Sequence, residues 1–521
     1  MIEGKKHNFS NINFVLTLLM LLFLCTQDLF SQEKNILDTV LSYKAKNVKL
    51  HIALTELGDM VGYNFSYNSD LIASNREEKG KYIDQKLQDI LYNIIQDSSL
   101  VFKIVAKQIV ITKRDQISKL LIFRNNNDIN KYVRIQGKIL DTESNTPLSF
   151  SNVSVKGKSI GSISNEQGDF NISISKSFIS DTLVFSYIGY KNLYLPISQL
   201  STTNNLIYLT KDNYNIKEVV IRSYNALEIL KEAIKNVRNN YYTDPYQVIS
   251  FYREMVFKEN ELAAISEAVL DVYKSPYLGP YSDQVKLLQG RKNEYYSRKD
   301  TVSLKLKAGL FTSLYLDVIK NPTYFLREKY FHLYTYYVNK VTKYNDNSVY
   351  VIEFKPAVYL EENSFQGKIY IDTDDLSIVA VNFSITPDAI DRMGRELIVK
   401  KTFRTRVKAE SAKYLVNYRK VGNKYFLNFA QGELSFKVKR KKRLFANDFN
   451  TSFEFASNRV DTVNVERFER SETLSKNKIF IDEYYDYDYQ FWGDYNYISP
   501  EKNLQDALIE IQQKLDKLNL K

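Results

Sequence analysis

The sequence predicts a multidomain, β-rich protein: a small α+β N-terminal domain, a β-sandwich of the seven-stranded type, then a large antiparallel-sheet α+β domain with a C-terminal helix. Three observations carry this expectation. Apolar residues alternate at Val133, Ile135 and Ile139, at Phe170, Ile172 and Ile174, and at Leu183, Phe185 and Tyr187, the period of strands with one buried face. Aromatic residues make up 14% of the chain, with 40 Tyr and 30 Phe, types that pack well on pleated surfaces. A length of 521 residues exceeds what one core holds, so about three to four units are expected.

The first segment reads as an export signal, assigned to residues 1–32. Lys5, Lys6 and His7 precede an apolar run at 14–25, too short for a comfortable membrane span and suited to a signal core. Cleavage near Ser31-Gln32 would leave no cysteine, hence neither disulfide nor thiol chemistry. Cys25 leaves lipid anchorage open, but Phe23 and Leu24 before it are bulky where lipoprotein processing takes small residues. The net charge of +11 and pI near 9.1 favour anionic surroundings such as lipid headgroups. An exported chain does not meet nucleic acid, and no later apolar run is long enough to cross a bilayer as a helix.

Residues 36–113 mix two periods. Val48, Ile52, Leu54, Leu57 and Val61 fit a short helix, residues 63–67 a strand, residues 83–95 a second helix, and residues 101–111 a strand pair. That pattern alone fits any α+β module. The stretches 50–71 and 87–111 resemble the short N-terminal (STN) domain of secretins and signal-transducing TonB-dependent receptors, which implies a periplasmic module that docks an envelope protein partner. A polar, turn-prone segment at 114–132, with Arg124-Asn125-Asn126-Asn127-Asp128, reads as a linker.

Residues 133–210 form the sandwich. Pro147 starts an extended segment and Gly168 supplies the positive φ of the Asn165-Glu166-Gln167-Gly168 reversal. Gly137 with Asp141, Pro147-Leu148, Asn152-Val153, Gly161, the 165–170 turn ending at Phe170, and Tyr187-Ile188-Gly189-Tyr190 resemble the carboxypeptidase-like regulatory domain of Gram-negative envelope proteins. The resemblance implies a transthyretin-like fold and an interaction module, with Pro147, Gly168, Phe170, Gly189 and Tyr190 as structural signature and no peptidase chemistry.

Residues 211–245 connect, first through a strand at 218–221 and then through a helix with Ala226, Leu227, Leu230, Ala233, Ile234 and Val237 at helical spacing. Residues 246–498 read as hairpins: 248–257 with 262–273, 329–342 with 349–354, 367–371 with 378–385, and 415–421 with 425–430, then 434–438. Val379, Val381, Phe383 and Ile385 should share a face, and a helical stretch at 310–319 is placed to cover such a sheet. Phe251-Tyr252-Arg253-Glu254, Ser266-Glu267-Ala268, Tyr273-Lys274, Gly290-Arg291-Lys292 and Phe491-Trp492-Gly493-Asp494-Tyr495-Asn496 look like an uncharacterised family that carries the same sandwich at its front. Gly367-Lys368-Ile369-Tyr370-Ile371-Asp372 and the 418–429 hairpin are similar to the half-barrel of periplasmic lipoprotein carriers, which implies a lipid or apolar ligand. Residues 499–521 predict a helix, with Ser499 as cap, Pro500 at its first position and Leu504, Leu508, Ile511, Leu515 and Leu518 on one stripe.

Chemistry is sparse in this pattern. His51 and His332 stand alone, without metal-ligand spacing, beside an apolar helix face and in an aromatic strand. No nucleophile elbow, phosphate loop or dinucleotide fingerprint occurs. A hydrolase needs only two carboxylates, but no pair is singled out. The acidic aromatic run at 482–492 places Asp486 and Asp488 two apart, as calcium ligands can be, without the glycine turn of a calcium loop; a solvated edge anchored by Phe491 and Trp492 accounts for it better. Lys437, Lys439, Arg440, Lys441, Lys442 and Arg443 either guard a strand edge or meet an anionic surface. No cofactor is expected. The functional expectation is a non-enzymatic exported envelope protein, in the periplasm or on the periplasmic face of the outer membrane, acting through protein or lipid contacts. The alternatives are an accessory or signalling component of TonB-linked uptake and, third, a carboxylate-based hydrolase.

Overall fold

The computed structural model describes residues 36–67, 72, 76–97, 99–105, 108–113, 131–212, 225–277, 281–294, 305–306, 309–360, 364–396, 398–400, 405–440, 445–475 and 494–500. The signal segment with Cys25, the 218–221 strand, the acidic run at 482–492, Lys441, Lys442 and Arg443, and all but the first two residues of the terminal helix lie outside them. The chain divides into two compact units, Met1–Asn125 and Asn126–Lys521. Among the described residues no helix is long and apolar enough to cross a membrane.

In the first unit β1 (Val40–Lys49) pairs with β3 (Glu77–Lys86), and β2 (Asn64–Tyr67), β4 (Leu100–Val105) and β5 (Gln108–Lys113) form a second sheet with β5 in the middle. Helices α1 (Leu50–Val61) and α2 (Leu87–Ile95) bury Leu50, Leu54 and Leu57, and Leu87, Leu91 and Ile94, at i, i+3/i+4 spacing. The second helix is shorter than its apolar pattern suggests. Ile83 lies one helical turn before Leu87 and mimics the stripe, but β1 claims that backbone for a strand, and Ile83 is exposed.

In the second unit the sandwich consists of β6 (Tyr132–Asp141), β7 (Asn152–Val155), β8 (Gly161–Ile163), β9 (Asp169–Ser175), β10 (Thr182–Ser186), β11 (Leu193–Pro196) and β12 (Asn205–Leu209). Its sheets run β12-β6-β9 and β11-β10-β7-β8. Ile135, Ile139, Val153, Ile172 and Leu183 fill the space between them, with Phe170 edge-on to Phe185 at 5.3 Å. Pro147 bridges to Leu140, and Gly189 has φ +89°. Tyr190 Oη donates to Asp141 Oδ2 at 2.7 Å, and Asp141 also takes the Ser144 N–H and pairs with Lys211; this holds its carboxyl well below the usual range.

The rest of the unit is built on one antiparallel sheet. Its strands are β13 (Tyr246–Lys258), β14 (Glu261–Lys274), β15 (Gln284–Glu294), β17 (Tyr334–Tyr344), β18 (Asn347–Pro356), β19 (Phe365–Asp372), β20 (Ile378–Ile385), β22 (Thr405–Val421), β23 (Lys424–Arg440) and β24 (Asn447–Asp461). The order is β15-β14-β13-β24-β23-β22-β20-β19-β18-β17, while β16 (Lys305–Leu306) pairs apart with β21 (Ile398–Lys400). The ends 415–421 and 425–430 belong to two uninterrupted strands, which also take in 434–438. Tyr334 opens β17 because Glu328–Leu333 coils as a 3-10 helix first.

The sheet is the middle of three layers. One face carries Val379, Val381, Phe383 and Ile385 and packs against α3 (Ala226–Lys235) and a segment containing α4 (Leu310–Tyr315), Phe325 and Phe331. Phe325 stacks on Phe354 at 4.1 Å. The apolar face offered to a lipid by the sequence pattern is therefore occupied by the chain's own side chains, and an apolar ligand there must displace residues 309–333. The opposite face meets the sandwich.

Gly168 tests the turn that sets the sandwich register. Its φ is +77°, and a Cβ there would lie 2.5 Å from the Ile139 carbonyl oxygen. Gly168→Ala should cost about 1–3 kcal/mol, read as a lower urea midpoint, and an unchanged midpoint would refute the strain.

Candidate functional site

The face toward the sandwich carries a row that crosses every strand and is polar on all but β22, where Leu415 stands. Directly paired positions run Tyr337, Glu353, Lys368, Asn382, Leu415, Gln431, Glu454, Arg253, Glu267 and Arg291. Paired residues of antiparallel strands project to the same side, so these ten share one face. At one end the charges alternate and are buried: Arg253 and Arg291 both pair with Glu267, at 2.7 and 2.6 Å, and Arg253 reaches Glu454 at 3.5 Å.

Each buried charge loses several kcal/mol of hydration, which only well-placed opposite charges offset. The two carboxylates respond differently. Burial opposes ionisation of Glu267, yet Arg291 and Arg253 flank it and hold its pKa below the usual carboxylate range. Burial dominates at Glu454 and pushes its pKa up, Arg253 opposing and the Glu267 charge reinforcing the rise.

Residues 494–500 lie over this charged end as a strap. Arg253 donates to the Ile498 carbonyl at 2.6 Å, and Asn458 to the Asn496 carbonyl at 2.7 Å. The strap's other side is held by the sandwich: Asn496 donates to the Gly161 carbonyl at 3.2 Å and Asn165 to the Ser499 carbonyl at 3.1 Å. Elsewhere the lobes touch directly. Phe150 stacks on Phe429 at 5.3 Å, Gly189 N–H donates to the Lys343 carbonyl at 2.7 Å, and Arg419 donates to the Ser159 carbonyl at 3.0 Å. Gly161 permits that last approach, since a Cβ there would sit 1.7 Å from Arg419 Nη1. Arg419 is buried, which lowers its guanidinium to about 10.

Where the strap ends, the row opens into a cleft of about 460 Å³ between the lobes. Its floor includes Lys368, Asn382, Leu415 and Gln431 of the row, flanked by Lys340, Tyr370, Lys413 and Glu433; its walls are sandwich segments at 149–152 and 186–189. Lys368 pairs with Glu353 at 3.3 Å, and Lys413 sits opposite Glu433 in the ladder.

A second polar cluster lies on the other face. Lys274, buried at 1% exposure, pairs with Asp283 at 2.9 Å and Asp317 at 3.2 Å, and Tyr418 donates to Asp317 at 3.1 Å. Burial works against the Lys274 ammonium, but Asp283 and Asp317 more than offset it and raise its pKa well above the usual lysine range. This cluster ties residues 309–333 to the sheet.

Several residues singled out from the sequence sit elsewhere. Lys437 lies in β23 between Lys408 of β22 and Asp448 of β24 and so guards no sheet edge, whereas Lys439 and Arg440 run past the last β24 pair at Val438 and are paired with β22 alone. Lys437 pairs with Glu410 at 2.8 Å, and Lys439 is exposed. His332 lies in a 3-10 turn and is exposed, not packed in an aromatic strand, and His51 is on α1. Among the described residues no three His, Cys, Asp or Glu side chains are grouped to hold a metal ion. The signature residues Pro147, Gly168, Phe170, Gly189 and Tyr190 all lie in the sandwich, with only Gly189 at the cleft.

Residues 135–221 match the CarboxypepD_reg-like domain. The matched region thus supplies the walls of the cleft, and strands β17, β18, β19, β20, β22 and β23 supply its floor. No curated protein matches this chain. Among solved structures, the chain is similar to an outer membrane lipoprotein-sorting protein domain from Vibrio parahaemolyticus, at 13% identity and TM-score 0.22 over 47% of this chain and 96% of that one. It is also similar to a DUF1329 family protein from Desulfovibrio piger, at 11% and 0.21 over 47% and 98%, and to a LolA superfamily protein from Nitrosomonas europaea, at 10% and 0.18 over 49% and 99%. Likeness at this level carries no functional argument.

The two buried glutamates give opposite expectations. Glu267→Gln removes the partner of two arginines and should cost about 3–5 kcal/mol near neutral pH. The lowered pKa of Glu267 means its contribution is complete above the ordinary value of 4.5 and is lost as pH falls through the folded pKa. Glu454 has a raised pKa, so its ionisation opposes folding as pH rises above 4.5. Glu454→Gln should therefore be neutral or stabilising, with its advantage growing above that pH. Urea titrations across pH 4 to 8 check both, and equal losses in the two variants would refute the assignment.

Proposed function

We propose that this chain is a non-enzymatic exported envelope protein that works by holding a ligand or partner in the cleft between its sandwich and its sheet. The supporting observation is the way the polar row is divided. Its charged end is neutralised internally and covered by the strap, whereas its other end, with Lys368 and Asn382, is open to solvent beside Lys340 and Lys413. Exposed cations and amides lining a concave site are suited to recognition. The CarboxypepD_reg-like domain is a regulatory, non-catalytic type, and here it contributes walls that shape the site. The first unit, with its resemblance to partner-docking periplasmic modules, supplies a separate contact in this reading.

A photo-crosslinking side chain in place of Lys340, in cells expressing the full chain, tests the reading. The expected outcome is an adduct in the envelope fraction that is absent when the same group replaces Tyr359, an exposed residue outside the cleft. Equal labelling from both positions, or none from position 340, would overturn it.

A further inference from the structure

We propose that the ligand of the cleft is an acidic oligosaccharide, one whose ring hydroxyls and carboxylates are read by side chains alone. The inference rests on the cleft being a binding site and adds the chemistry of what it takes.

Charge is the first constraint. Lys340, Lys368 and Lys413 line the cleft, against Glu433 alone among acidic lining residues. Lys368 shares its charge with Glu353 and Lys413 faces Glu433, but Lys340 stands opposite Val351 with no acidic partner among the described residues. A cleft with this surplus concentrates anions.

The second constraint is backbone access. The floor is the face of a hydrogen-bonded sheet, not an edge, and of the walls Gly189 already gives its N–H to Lys343. A peptide added as a strand needs free main-chain donors and acceptors along an edge, and the floor presents none. An acidic peptide would have to bind through side chains alone, at the full entropic cost of ordering a flexible backbone.

Side-chain type is the third constraint. Tyr187 in a wall and Tyr370 in the floor are half-buried, and burial raises both phenols above their usual pKa, so they remain neutral hydroxyl-bearing rings. Asn382 lies between Lys368 and Leu415 in the row. An amide donates and accepts at once, and with the two phenol hydroxyls it matches adjacent sugar hydroxyls. A fatty chain would leave these polar groups unpaired, at a cost for each. The volume of about 460 Å³ lies in the range of small-ligand sites.

Isothermal titration of the full exported chain with tetragalacturonate, maltotetraose and tetraglutamate tests this. Tetragalacturonate should bind, weaken with added salt, and lose about tenfold in affinity in Lys340→Gln and again in Tyr370→Leu, with Lys437→Gln unchanged and circular dichroism confirming that each variant is folded. Maltotetraose and tetraglutamate should each bind at least tenfold more weakly. Equal binding of maltotetraose removes the acidic requirement, tighter binding of tetraglutamate replaces the sugar by a peptide, and no binding of tetragalacturonate ends the proposal. If it fails while crosslinking from position 340 succeeds, only the ligand class falls; if both fail, the cleft itself is no binding site.

Discussion

The second unit depends on one buried interaction: the alternation of Arg291, Glu267, Arg253 and Glu454 across four adjacent strands. Strands in a sheet lie about 4.8 Å apart, so directly paired residues of opposite sign sit within ion-pair distance with little side-chain adjustment. The row does not exist to maximise stability, since hydrophobic replacements of buried ion pairs are often no worse. Its effect is on register. A slip of one residue in β13 would turn Arg253 onto the apolar face and bring Tyr252 out, so only one pairing of β13, β14, β15 and β24 satisfies all four charges.

Register on this face decides what can dock there. Arg253 presents a donor to the Ile498 carbonyl, and the strap it captures is bonded in turn to Gly161 and by Asn165 of the sandwich. Strand pairing and the seat of the strap thus meet in Arg253, and the strap joins the sheet to the sandwich. Where the strap stops, the row continues without a cover, and the cleft results. On the other face the cluster of Lys274, Asp283 and Asp317 does similar work, fixing residues 309–333 against the sheet. Each face of the sheet therefore carries one buried charged group that holds the covering segment, Arg253 through the Ile498 carbonyl on one side and Lys274 through Asp317 on the other.

The sandwich was legible in the sequence because its determinants are local. Gly168 and Gly189 mark turns through their own positive φ, and a turn needs few neighbours to be recognised, whereas the partners of Phe170 and Tyr190, at Phe185 and Asp141, are set by the fold. The row was legible only in fragments. Arg253, Glu267 and Arg291 belong to the stretches that resemble an uncharacterised family, but nothing local says that they meet, or that Glu454, some two hundred residues later, completes them. Lys368 and Asn382 fall in stretches read as strands, but nothing local says that they line up with Gln431, because cross-strand register is a property of the whole sheet. The basic run at Lys437 misled for the same reason: a charged strand end looks like an edge until the partners on both sides are known. Ile83 shows the converse, with helical spacing that strand pairing overrode.

If the row couples sheet to sandwich, the two lobes should open together. Native-state hydrogen exchange under increasing urea reads this directly. The account predicts that amides of the sandwich core near Ile172 and of β13 near Phe251 converge on one opening free energy. Sandwich amides that exchange through a separate, lower-energy opening while β13 stays protected would contradict it.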